Sequence, residues 1–280
     1  MSIHFQALHP AGWRAASAIR VMRFPGGELS LTIPLDSPET PAYAVVTGAD
    51  FDDYVALGLW ADYAHQSGHR AIALIPYLPA ARADRGVPFG AKVYAELINS
   101  FRLDQILTFD PHSPTAPALY DNLKVIDSAP YVRRATIGRV GTPHDYVGVI
   151  APDEGAVERA QRAATALHLP LFKAEKHRDF ETGKLSGFSC ERLPGEGRLL
   201  VVDDICDGGG TFMGLAEATG VSQERLTLFV SHGVFSGNAP ELRKHYSEII
   251  TTDSHPGAHR DGVATELLSI RNILAPFIER

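Results

Sequence analysis

The chain has 280 residues, of which 45% are hydrophobic and 21% charged; this composition does not favour disorder, and the length allows about two globular domains. A formal charge of -7 and a pI near 5.9 exclude the broad basic face that captures nucleic acid or anionic lipid. Anionic ligands must therefore be held by local groups.

Apolar runs that end in turn or acidic residues predict buried strands at 42–47, 71–77, 105–109, 146–151, 199–203, 226–231 and 248–252. Helical spacing predicts helices at 53–67, 90–100, 154–167 and 210–219, each long enough to carry the chain between parallel strands. This alternation predicts an α/β fold with mostly parallel sheets flanked by helices. The stretch 127–144, with Pro130, Gly138, Gly141 and Pro143, reads as irregular and separates two such series. It divides the chain into a domain of residues 1–135 and a second of 136–280. Cys190 and Cys206 have no CxxC spacing, so neither a disulfide framework nor a zinc site is expected. With no leader-like start and no run of 18 apolar residues, a cytoplasmic protein is expected.

In open parallel sheets ligands bind beyond the carboxyl ends of the strands, and the richest such end is RLLVVDDICDGGGT, residues 198–211. Four apolar residues deliver Asp203 and Asp204 to the strand end; Asp207, Gly208, Gly209, Gly210 and Thr211 then open a helix. Glycines let a backbone approach a ligand closely, and a helix start presents N–H groups and a positive dipole end, so the turn suits a phosphate monoester. Adjacent carboxylates suit a sugar diol or a hydrated Mg²⁺.

This segment resembles the fingerprint of the type I phosphoribosyltransferases, which implies a ribose bound by Asp203 and Asp204 and a 5′-phosphate bound by the glycine loop. Further segments resemble the ribose-phosphate diphosphokinases, the phosphoribosyl diphosphate synthetases. Pro76–Tyr77 followed by Ala81-Arg82-Ala83-Asp84-Arg85 is similar to that family's ATP segment, which implies ATP binding by Arg82, Asp84 and Arg85. Asp110-Pro111-His112 is similar to its Asp-Leu-His, implying that His112 lies at ATP and Mg²⁺. Asp153 stands in a Pro-Asp-x-Gly-like turn and would bind Mg²⁺ at the sugar's reactive end, a role compatible with capping a helix. Lys176-His177-Arg178 resembles the catalytic loop's Lys-x-Arg, which makes Lys176 and Arg178 the candidate catalytic cations. The segment 232–236 is expected to be scaffold. Phe24 and Glu28 lie in a segment similar to one that reaches a neighbouring subunit's adenine pocket, so the resemblance implies a homo-oligomer, a dimer or a hexamer.

The resemblance therefore implies two phosphoribosyltransferase-like domains, an ATP side and a ribose phosphate side, and Mg²⁺-dependent diphosphate transfer from ATP to the anomeric hydroxyl of ribose 5-phosphate. Gly26, Ala83 and Gly208 replace the family's acid, glutamine and threonine, and the loop after Arg85 is short. Gly208 opens space beside the 5′-phosphate, so a 5′-extended ribose such as ADP-ribose is an alternative acceptor. A non-catalytic regulatory paralogue and a base-joining phosphoribosyltransferase are rival readings.

Overall fold

The computed structural model describes residues 2–9, 12–16, 19–33, 41–137, 146–178 and 185–278. The chain divides into two compact units, residues 1–126 with 270–280, and residues 127–269.

The first unit contains strands β1 (Ile3–His9), β2 (Gly12–Ala15), β3 (Arg20–Arg23), β4 (Leu29–Thr32) and β5 (Pro41–Val46), helix α1 (Phe51–Gln66), β6 (Ile72–Leu74), α2 (Gly90–Asn99), β7 (Gln105–Phe109) and β8 (Leu123–Ile126). Its six-stranded sheet runs β2-β1-β5-β6-β7-β8, with β5 to β8 parallel and β1 antiparallel to both its neighbours. Asp50 starts α1 by accepting a hydrogen bond from the Asp52 N–H. Buried Asp53 accepts from the N–H groups of Ser2 and Ile3, which ties the start of β1 to that helix. Tyr54, Leu57, Trp60 and Ala61 form the helix's buried face, packed in one core with Phe5, Ala73 and Ile106. The β3–β4 ribbon stands apart as a two-stranded sheet.

The second unit begins with α3 (Ala129–Ile137) and continues through β9 (Tyr146–Ala151), α4 (Val157–Leu167), β10 (Leu171–Arg178), β11 (Leu185–Cys190), β12 (Arg198–Cys206), α5 (Gly210–Thr219), β13 (Leu226–Gly233), β14 (Glu248–Thr252) and β15 (Glu266–Leu268). Its seven strands run β11-β10-β9-β12-β13-β14-β15, all parallel except the β10–β11 pair. The period-two alternation of a strand sends Leu199 and Val201 to one core, with Phe212 and Leu215. Leu200 and Val202 go to another, with Ala160 and Ala163. Helix α6 (Ile270–Leu274) then returns the chain to the first unit, where the side-chain amide of Gln105 donates to Phe277 O at 3.2 Å and Arg271 donates to Gln6 at 3.1 Å.

The α/β architecture and its parallel sheets agree with the sequence reading. The boundary falls after residue 126, earlier than residue 135, because 129–137 is a helix that packs against α4, and the last eleven residues join the first unit. Among the described residues no helix is long and apolar enough to cross a membrane.

Candidate active site

The second sheet holds a topological switch point. From β9 the chain moves to β10 on one side, then returns to place β12 on the other side of β9. The crevice beyond the carboxyl ends of β9 and β12 is where such a sheet accepts ligands. Asp153 follows β9, and Asp203 and Asp204 close β12, so three sequence-selected carboxylates come from the two strands that flank the switch.

Asp203 and Asp204 are buried, and the Asp204 N–H donates to Asp203 Oδ1 at 2.8 Å. The guanidinium of Arg159, itself only 6% exposed, reaches both carboxylates at 3.7 Å, Nη1 to Asp203 and Nη2 to Asp204. Burial pushes the Asp203 carboxyl well above its ordinary range, and the charges of Asp204 and Asp153 add to this, while Arg159 opposes it. The cluster is thus short of positive charge. Asp153 caps the turn before α4, its Oδ1 accepting from the Ala156 N–H at 3.1 Å.

The glycine turn is built as the sequence implied. Gly209 takes the left-handed conformation at φ +83°, and no side chain caps the N-terminus of α5. A Cβ at Gly209 would lie 3.0 Å from the Leu242 side chain, so the position is closed to larger residues by both backbone and packing. Gly208 differs: a Cβ there would meet only Ser236 Oγ, at 3.8 Å, an ordinary van der Waals distance, so the position has room for a side chain. Asp207 accepts the Ser236 hydroxyl hydrogen bond at Oδ1 (2.6 Å) and the Ser236 N–H at its carbonyl (3.1 Å). Gly210 and Thr211 begin α5.

Lys176 and Arg178 were expected on a catalytic loop, but β10 continues through Arg178. It pairs antiparallel with β11, Lys176 opposite Phe188 and Arg178 opposite Leu185. A ribbon at a sheet edge tolerates polar residues that a central strand would not. The Phe188 ring sits where a Cβ on Gly214 would be, 2.5 Å from it, so the ribbon is pressed onto α5, the helix that the glycine turn opens. The side chains of Lys176 and Arg178, and residues 179–184 of the connection, lie outside the described residues.

In the first unit the loops after β6 and β7 meet, since the Ser113 hydroxyl donates to Asp84 Oδ2 at 2.5 Å. Arg85 is almost fully exposed, with Nε 3.9 Å from Asp84 Oδ1, and Arg82 and His112 are exposed as well. The short connection after Arg85 closes on itself through the Ala91 N–H to Ala83 O bond (3.0 Å), and a Cβ at Gly90 would lie 3.1 Å from Ala83 Cβ. Phe24 and Glu28 join across the exposed tip of the β3–β4 ribbon, where the Phe24 N–H donates to Glu28 O at 2.9 Å.

Arg159 and Ser236 act more directly in this geometry than the sequence reading assigned. Arg159 lies on the stripe of α4 that also buries Ala160, Ala163, Ala164 and Leu167. An arginine on a buried helical stripe requires a carboxylate partner, and that was the available signal. Buried His232 fits the scaffold expectation, its Nδ1 paired with Ser254 Oγ at 2.7 Å.

Among the described residues no group of three or more histidine, cysteine or acidic side chains forms a metal cage. Mg²⁺ does not need one, because it binds through one or two carboxylates, substrate phosphates and retained waters. The charge-deficient Asp203, Asp204 and Asp153 set fits such an ion; His112 belongs to the other unit.

A parallel sheet with an acid pair and a glycine turn at its switch point defines a protein of the phosphoribosyltransferase fold class. No family model matches the chain. Curated relatives named ribose-phosphate pyrophosphokinase include one from Sulfurisphaera tokodaii, 29% identical over 202 residues that span 69% of this chain and 68% of the relative. One from Clostridium acetobutylicum is 28% identical across 93% of this chain and 85% of the relative. One from Rhizobium meliloti is 32% identical over 67% of this chain and 62%, less than two thirds, of the relative. The crystal structure of phosphoribosylpyrophosphate synthetase from Mycobacterium smegmatis superposes with a TM-score of 0.71 over 93% of this chain and 88% of that one, at 21% identity, and so shares the fold. The chain is therefore similar to ribose-phosphate pyrophosphokinases and shares the fold of a phosphoribosylpyrophosphate synthetase.

Proposed function

We propose that the chain is a ribose-phosphate diphosphokinase that transfers diphosphate from ATP to the anomeric hydroxyl of ribose 5-phosphate. The observation that carries this reading is the buried Asp203–Asp204 pair held by Arg159 at a switch point, with the glycine turn of α5 immediately beyond it. The carboxylates accept hydrogen bonds from the ribose hydroxyls, and Arg159 fixes their orientation. The N–H groups of the Gly208–Thr211 turn hold the 5′-phosphate at the positive end of the helix. The chain's own ATP groups are Arg82, Asp84, Arg85 and His112 on the two loops of the first unit, and Phe24 and Glu28 belong to a contact with a second copy in a homo-oligomer.

In the transfer, the anomeric oxygen forms a bond to the β-phosphorus of ATP. The bond from that phosphorus to the oxygen bridging to the α-phosphate breaks, AMP leaves with the electron pair, and the hydroxyl proton passes to solvent. No side chain is assigned as general base. Lys176 and Arg178 offset charge on the transferring group from their ribbon. Asp153, with the acid pair, would hold Mg²⁺, which when bound neutralises phosphate charge and orients the reacting oxygens.

AMP release from ATP that depends on both ribose 5-phosphate and Mg²⁺ is the expected result. Nucleotide binding without AMP release would identify a regulatory paralogue instead. A second reading, a 5′-extended acceptor such as ADP-ribose, is favoured by the side-chain room that Gly208 leaves unfilled.

A further inference from the structure

The loops that follow β12, β13 and β14 are laced into one layer beside the glycine turn. Cys206 O accepts the N–H groups of Val234 (2.9 Å) and Phe235 (3.1 Å), and Asp207 O accepts that of Ser236. On the other side, the turn at Pro256–His259 is pressed against the same loop. A Cβ at Gly257 would lie 1.9 Å from Val234 O, so only glycine fits there. Arg260 Nη1 donates to Phe235 O at 2.7 Å.

This lacing fixes Ser236 beside Gly208 and Arg260 on the next loop. The Phe235–Ser236 peptide unit points its N–H to Asp207 and its carbonyl to Arg260, which sets the guanidinium one peptide's width from the glycine turn. Arg260 is exposed, and its fork has five N–H donors of which this bond uses one. Ser236 Oγ borders the Gly208 position directly. His255 is half-buried, and its Nδ1 accepts the Gly257 N–H at 3.0 Å, which braces the turn that leads to Arg260. Burial and the neighbouring His232 favour the neutral ring that accepts this bond, and Asp207 opposes them.

The turn's own N–H groups and helix dipole account for one phosphate. A second phosphate beside it would meet the Asp207 carboxylate, and in a chain of net charge -7 it requires a local cation and donors. The side-chain-free position at Gly208 and the arginine fork are arranged for that purpose. We propose that Arg260 supplies the cation of a subsite for a second phosphate on the acceptor, so that a ribose bearing a 5′-diphosphoryl group is preferred over the 5′-monophosphate. This rests on the proposed function and names the acceptor class of the same site.

The test compares kcat/KM for ribose 5-phosphate, ribose 5-diphosphate and ADP-ribose, with AMP release as the readout, in the full-length chain and in Arg260→Ala and Arg260→Lys. The expected result is preference for both diphosphoryl acceptors, a ratio to the monophosphate that falls about tenfold or more in Arg260→Ala, and partial recovery in Arg260→Lys. An unchanged ratio, turnover of ribose 5-phosphate alone, or a preference confined to ADP-ribose and insensitive to Arg260 would overturn the subsite. Failure of the proposed function looks different, because then no acceptor releases AMP from the unmodified chain. Calorimetric titration with ribose 5-diphosphate and ribose 5-phosphate then decides the subsite. Tighter binding of the diphosphate that Arg260→Ala abolishes supports it, and equal or absent binding of the two overturns it.

Discussion

The two units of this chain use the same kind of sheet for different work. In the second unit, parallel strands run in both directions from β9, and the reversal opens a crevice at which buried acids, a buried arginine and a tight glycine turn meet. In the first, parallel strands β5 to β8 follow one another in a single direction, and the far side of β5 is taken by antiparallel β1. Its candidate groups accordingly stand on exposed loops, with Asp84 the most enclosed of them through Ser113. The difference teaches that function and stability are joined in the second unit and separable in the first.

Four variants and one pH profile would break or sharpen that contrast. The largest effect is expected from Arg159→Met, which leaves two buried carboxylates without their cation and should cost about 3–5 kcal/mol, read as a fall in denaturation midpoint together with loss of ribose phosphate binding. Retained stability would mean that the acid pair is solvated and the contrast is false. Replacing Lys176 and Arg178 with alanine should lower kcat about 10²–10³-fold by removing charge stabilisation, with modest change in sugar binding and a normal melting curve. Near-normal turnover refutes their role.

Gly209→Ala should destabilise by about 1–2 kcal/mol through the left-handed backbone, added to the close approach of Leu242, and should weaken sugar phosphate binding in parallel. In the first unit, Arg82→Ala with Arg85→Ala should raise KM for ATP about tenfold, the equivalent of about 1.4 kcal/mol, without moving the melting temperature. A coupled loss of stability there would erase the distinction.

The smallest effect is a pH dependence. The folded-state pKa of Asp203 is raised by burial, so its ionised form opposes folding. The stability it contributes when protonated is lost as pH rises through the raised value. Asp203→Asn should therefore melt higher than the unmodified chain at neutral pH while losing sugar binding. The gap should close as pH falls from the raised folded value towards the ordinary aspartate range. A gap that widens on acidification would contradict the assignment.

What could be read early was local. The strands 105–109, 146–151 and 248–252 have the bounds the sequence implied, because each is a short apolar run stopped by turn residues. The helix 210–219 also matches, since glycines mark both of its ends. Strands β1 to β4 and β11 escaped because their polar residues blur the period-two signal at edges and ribbons. Helix α3 escaped because Pro130 falls in its first turn, where proline is tolerated.

For the candidate site, sequence alone selected the acid pair, the glycine turn, Asp153 and Lys176 with Arg178 as candidates, because each is a contiguous run whose chemistry depends on residue type and order. Only the tertiary structure decided that Arg159 pairs with both acids, that Ser236 holds Asp207, and that Arg260 binds the Phe235 carbonyl of the neighbouring loop. Those partners lie tens of residues away on other elements, and strand order alone makes them neighbours. A one-dimensional pattern specifies which groups a loop carries, whereas the packing of separate loops specifies what stands beside them.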